Sequence, residues 1–174
     1  PGCVVGVIHE GELVHVRAYG MADVVANSPL TPRSAFNVQS IAKQFTAACI
    51  ALLVQEDVIA LEDDIRRYVP EFPDYGIPIR VRHLVHHTSG IRDYIHLVML
   101  AGTDFRDHLS HKDALRIMMR QKSLNFDPGT RHVYGNSGYV LLSEIVERVS
   151  GTSFGDFAEA HIFRPLGMTD SYML

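Results

Sequence analysis

The chain opens on two β-rich runs and turns helical in period from residue 40 onward. Cys3 to Ile8 and Leu13 to Arg17 are the two runs, separated by His9-Glu10-Gly11-Glu12. A glycine in so short a connection predicts a hairpin. Thr31-Pro32 then punctuates a loop. Beyond it Ile41, Phe45, Ala48, Cys49, Leu52 and Leu53 fall at i, i+4, i+7, i+8, i+11 and i+12. That 3.6-residue stripe predicts a long helix with one buried face.

Shorter segments follow. Leu61 to Tyr68, closed by Pro70, predicts a short helix with an acidic first turn, and Arg80 to His87 another, stopped at Gly90. Two helices are predicted between Ile91 and Arg120 around a polar loop near residues 102–110. Tyr139 to Val149 places Leu142, Ile145, Val146 and Val149 on one face and ends at Gly151, a C-capping residue. Phe154 to Phe163 is the last predicted helix, stopped by Pro165 and Gly167. A hairpin followed by a helical remainder predicts an α+β, mixed sheet-and-helix fold.

Composition narrows the function. With 47% hydrophobic and 21% charged residues over 174 positions, the chain has the make-up of a globular protein of one ordinary domain or one compact two-region unit. A net charge of −4 with scattered arginines gives no basic face for nucleic acid. No apolar run reaches the roughly 20 residues a membrane span requires, and no signal peptide is seen at Pro1. Cys3 and Cys49 are expected to be buried small apolar residues rather than a disulfide.

The chemistry-bearing pattern is Ser40-Ile41-Ala42-Lys43. Residues at i and i+3 share a helical face, which would bring the Ser40 hydroxyl beside the Lys43 amine. A serine becomes a nucleophile when a neighbouring base takes its proton. A helix N-terminus would also favour an oxyanion formed there. By itself the motif reads more simply as an N-cap serine followed by a solvated lysine. The chain has three lysines, Lys43, Lys112 and Lys122, and only Lys43 has a serine three positions before it.

Further stretches carry a resemblance. These are Pro1 to Val7, Ala18 to Asp23, Phe36 to Ala47, His83 to Gly90, Asp127-Pro128-Gly129-Thr130, Tyr134-Gly135-Asn136-Ser137-Gly138-Tyr139 and Arg164 to Met168. In this order they resemble the serine β-lactamase and penicillin-binding-protein superfamily, in the branch of class C β-lactamases, D-amino-acid peptidases and related esterases. The resemblance covers nearly the whole chain. It implies a β-lactamase/transpeptidase-like fold over residues 1–174, with the hairpin and nucleophile helix in 1–56 and a helical region in 57–174.

It also implies roles: Ser40 as nucleophile, Lys43 and Tyr134 as proton carriers, and Asn136 as the residue that orients the substrate amide and meets Lys43. A phenol would need a nearby cation such as Lys43 to act as a base at neutral pH. Without the resemblance, Tyr134 reads as a loop aromatic and Asn136 as a helix N-cap. The expected substrate is an ester, a β-lactam or a D-amino-acid peptide, with no cofactor.

His83, His86 and His87 have the spacing of metal ligands, but no fourth ligand with a matching motif appears, so no metal is expected. The resemblance gives His87-Thr88-Ser89-Gly90 a turn-forming role, and Glu62-Asp63-Asp64 reads as a solvated helix start. The family's third motif, Lys-Thr-Gly or His-x-Gly, has no match after Tyr134. The chain therefore reads as the N-terminal portion of such an enzyme, and alone it is expected to be a poor catalyst or a non-catalytic binding module. An open sheet edge predicts self-association. The resemblance favours a periplasmic or secreted setting, with a cytoplasmic one open.

Overall fold

The computed structural model describes residues 2–103 and 109–173. Part of the polar loop predicted near residues 102–110 lies outside the described residues. The chain divides into two compact units, 1–39 and 40–174.

The first unit is a sheet, three-stranded among the described residues, with order β1-β2-β3. Strand β1 spans Gly2–His9, β2 spans Glu12–Asp23 and β3 is the short Ser28–Pro29. β1 and β2 pair antiparallel through Cys3↔Tyr19, Val5↔Arg17 and Val7↔His15. The two connecting residues, Glu10 and Gly11, both take positive φ (50° and 83°). Such a turn matches the right-handed twist of its strands. β2 outruns its predicted end and recruits β3 through Met21↔Pro29. Cys3 departs from expectation. It is exposed on β1, because this sheet carries no helical layer of its own among the described residues.

The second unit is helical: α1 is Lys43–Gln55, α2 Val81–Val85, α3 Tyr94–Leu100, α4 His111–Met119, α5 Ser137–Ser150 and α6 Phe154–Ala158. α5 is its hub and packs against α1, α2, α4 and α6. Its apolar face buries Leu141, Leu142, Ile145 and Val146 against Cys49, Ile50 and Leu53 of α1, Leu84 of α2 and Met118 of α4. Phe45 meets Phe163 edge-on, ring centroids 5.2 Å apart. Gly151, left-handed at φ 72°, ends α5 as predicted.

Three predicted helices differ in detail. The stripe on α1 is rotated: Thr46, Cys49, Ile50 and Leu53 are buried, whereas Ile41 is 62% exposed. Ile41 belongs to a 3₁₀ turn, Gln39–Ala42, ahead of α1. Three residues per turn carry it off the face that a 3.6-residue period assigns. Leu61 to Tyr68 holds only a single 3₁₀ turn, Ile65–Arg67. Its acidic residues are consumed locally. Asp64 caps the Arg66 N–H, Asp63 pairs with Arg67, and Glu62 pairs with Arg80 and Arg82. The last predicted helix continues from α6 into a π-turn over Glu159–Phe163.

Candidate active site

Ser40, Lys43, Tyr134 and Asn136 all lie in the helical unit and meet at one point. Ser40 sits in the 3₁₀ turn and Lys43 is the first residue of α1. A 3₁₀ turn stacks i over i+3, and Lys43 Nζ donates to Ser40 Oγ at 3.1 Å. The turn is entered through Gln39, at φ 52°. That left-handed conformation costs a non-glycine residue about 1–2 kcal/mol.

Tyr134 arrives from the far end of the sequence, and its hydroxyl lies 2.6 Å from Ser40 Oγ. The His87-Thr88-Ser89-Gly90 stretch shows how it is carried there. Gly129 N–H donates to the Thr88 carbonyl, Asn125 N–H to that of Gly90 and Val133 N–H to that of His87. These bonds clamp residues 125–133 to the end of α2, and Tyr134 follows directly. Gly90 permits the clamp. Its φ is 72°, and a β-carbon there would lie 2.0 Å from the Phe126 carbonyl oxygen.

The His87 ring sits 4.7 Å from that of Tyr134 and stacks on Tyr139 at 5.1 Å. Burial, and then the charges of His132 and Lys43, hold its pKa below the ordinary imidazole value. A neutral ring leaves Nδ1 free to accept the Gly135 N–H at 3.4 Å. His83 Nδ1 accepts the Arg80 N–H. Among the described residues, the one His/Glu group with metal-like spacing is His111, Glu144 and Glu147. His111 and Glu144 bond each other, Glu144 also accepts from Arg148, and Glu147 accepts the Phe154 N–H.

Asn136 occupies the N-cap position of α5, yet its side chain makes no capping bond. Its Oδ1 accepts from Lys43 Nζ at 3.0 Å and its Nδ2 donates to Asp93 Oδ2 at 3.1 Å. Lys43 Nζ thus bridges Ser40 and Asn136 while lying 5.1 Å from the Tyr134 ring centroid. Lys43 first, and Ser40 second, hold the Tyr134 phenol below its ordinary pKa. The arrangement is a hydroxyl flanked by an amine and a phenol whose proton affinity is lowered. It can take a proton from Ser40 and return it to a leaving group.

Sequence reading missed Asp93 and Ser137. The Asp93 carboxylate accepts the Ile95 N–H at 2.9 Å, capping α3, and also the Asn136 backbone N–H. The buried Ser137 hydroxyl accepts the Tyr94 N–H and donates to the Arg92 carbonyl, both at 2.8 Å. Asp93 before an apolar run is a legible N-cap signal. Its second duty, across 43 residues of sequence, has no local signature.

The beta-lactamase family matches residues 1–173, and the chain belongs to that family. Over 167 residues it is 36% identical to penicillin-binding protein 4* of Bacillus subtilis, covering 92% of this chain and 35% of that protein. It is 34% identical to a D-aminopeptidase of Gluconobacter oxydans over 97% of this chain and 31% of the relative. The octameric penicillin-binding protein homologue from Pyrococcus abyssi superposes with a TM-score of 0.84 at 33% identity, covering 97% of this chain and 39% of that one. The chain thus spans about a third of the length of the curated relatives it matches. The mixed helix-and-sheet architecture is that of this fold family.

Proposed function

We propose that this chain carries the nucleophile of a serine hydrolase that forms an acyl-serine on an ester, a β-lactam or a D-amino-acid peptide. The observation that carries the reading is Ser40 Oγ held 2.6 Å from the Tyr134 hydroxyl and 3.1 Å from Lys43 Nζ. Ser40 Oγ attacks the carbonyl carbon as its proton passes to Tyr134, and a C–O bond forms while the carbonyl electrons move onto oxygen. The oxyanion collapses, expelling the leaving group, which takes the proton back. Water then repeats the attack on the acyl-serine and frees Ser40. Asn136 offers its amide to the substrate and Lys43 keeps the phenol acidic. The D-aminopeptidase relative supports a peptide amide carbonyl as one such target.

The test is covalent labelling. A labelled penicillin or an activated ester should leave an adduct on the Ser40 peptide, and Ser40→Ala should abolish it with the fold intact. An adduct persisting in Ser40→Ala overturns the assignment. Folded parent protein that binds these compounds without an adduct would instead be a binding module.

Self-association through the β1 edge belongs to the same reading. The octameric relative supports it, as does the eight-residue length of this edge strand. A monomeric mass in solution across micromolar concentrations would overturn it.

A further inference from the structure

We propose that Asp93 is a positioning residue: its carboxylate fixes which end of the Asn136 side-chain amide faces Lys43. The inference rests on the reading of Ser40, Lys43 and Tyr134 given above. An asparagine amide has an acceptor end and a donor end of nearly equal size, so shape alone does not orient it. The orientation must come from its partners. Lys43 supplies only donors, and an ionised carboxylate only acceptors. With Asp93 on one side, Nδ2 must turn toward it, and Oδ1 is left toward Lys43 at 3.0 Å. A neutral hydroxyl or water in place of Asp93 would accept either end and leave the amide free to present its NH₂ group to the ammonium.

Asp93 is itself held in place. It is only 9% exposed. Its Oδ1 caps α3 through Ile95 N–H, and its other oxygen takes the Asn136 backbone N–H as well as Nδ2. Ser137 bonds the backbone on either side of it, at the Arg92 carbonyl and the Tyr94 N–H. Gly135 completes the seat, since a β-carbon there would lie 3.2 Å from Asp93 Oδ2. These bonds tie the start of α3 to the start of α5. A carboxylate with so many fixed partners can hold an amide in one orientation.

The phenol of Tyr134 reports on this without requiring turnover. The groups around it are Lys43, Ser40, Asp93, the His87 ring and, beside that ring, His132 and Tyr139. Two effects of removing Asp93 have opposite signs. Its negative charge raises the Tyr134 pKa, whereas the hydrogen bond from Lys43 lowers it and is the largest cause. If Asp93 is merely a nearby charge, deleting it moves the phenol midpoint down. If Asp93 seats Lys43 through Asn136, deleting it moves the midpoint up.

The experiment is a pH titration of ¹³C-tyrosine-labelled chain by NMR, with the Tyr134 signal assigned by its loss in Tyr134→Phe. Asp93→Ser is the main variant, because serine can still cap the Ile95 N–H but is too short to serve Asn136. Asp93→Ala is measured alongside, so that one folded variant suffices. An upward shift of the Tyr134 midpoint is expected, with Ser40 acylation slowed about 10²-fold by the misplaced amine. A downward or absent shift in a folded variant overturns the proposal. An upward shift with no Ser40 adduct in the parent would leave the placement standing and fail the hydrolase reading instead.

Discussion

The two units of this chain are built by opposite means. In residues 40–174, Leu142, Ile145 and Val146 disappear into a core shared by α1, α2, α4, α5 and α6. In residues 1–39 the strands are ordered by backbone pairing and a two-residue turn, while Val5, Val7, Ile8, Leu13, Val14 and Val16 stay exposed. Side-chain packing therefore fixes the helical unit closely, whereas backbone pairing and the turn set the register of the sheet. Ser40, Lys43, Tyr134 and Asn136 are all drawn from the packed unit. The acyl transfer proposed for this site needs atoms held that closely, and this core can supply it.

The sharpest way to test that division is at the site. Tyr134→Phe keeps the ring and deletes the hydroxyl, and should slow Ser40 acylation by about 10²- to 10⁴-fold. Under the proposed mechanism, the phenolate is the form that accepts the Ser40 proton. Acylation should thus rise with pH through the Tyr134 midpoint, which Lys43 holds below its ordinary value, and then level off. That inflection should vanish in Tyr134→Phe; a pH profile retained in the variant would mean the phenol merely packs.

Next in size is the core. Leu142→Ala removes a fully buried side chain at the hub helix and should cost about 2–5 kcal/mol in urea unfolding. A cost near zero would show that α5 is not the hub.

The matched change in the sheet should do least. Val14 is 58% exposed, and Val14→Ala should shift monomer stability by no more than about 0.5 kcal/mol. A loss that grows with protein concentration would mean that association covers this face.

Much of the fold was legible because its signals are local. Gly11 in a short connection, the apolar face of α5 and Gly151 beyond it each state a rule satisfied by neighbours in sequence. The errors share a cause as well. Ile41 and Leu61 to Tyr68 follow the 3.6-residue period, but 3₁₀ turns and ion pairs replace α-helix there. Free cysteine is a small residue that is usually buried, but Cys3 is exposed, and its own unit has no helical layer among the described residues.

What the sequence by itself determined was the set of parts: a hairpin, amphipathic helices, and the Ser40, Lys43, Tyr134 and Asn136 set that resembles a known family. Ser40 and Lys43 are three residues apart, so local geometry suffices to join them. Only the tertiary structure decided that Tyr134 lies within hydrogen-bond reach of Ser40, across 94 residues, and that Asp93 stands behind Asn136. Those distances depend on backbone bonds between the end of α2 and residues 125–133, and on Ser137 tying α3 to α5. Backbone groups are alike at every residue, so such long-range pairings leave no mark on residue type except where crowding demands it, as at Gly90 and Gly135.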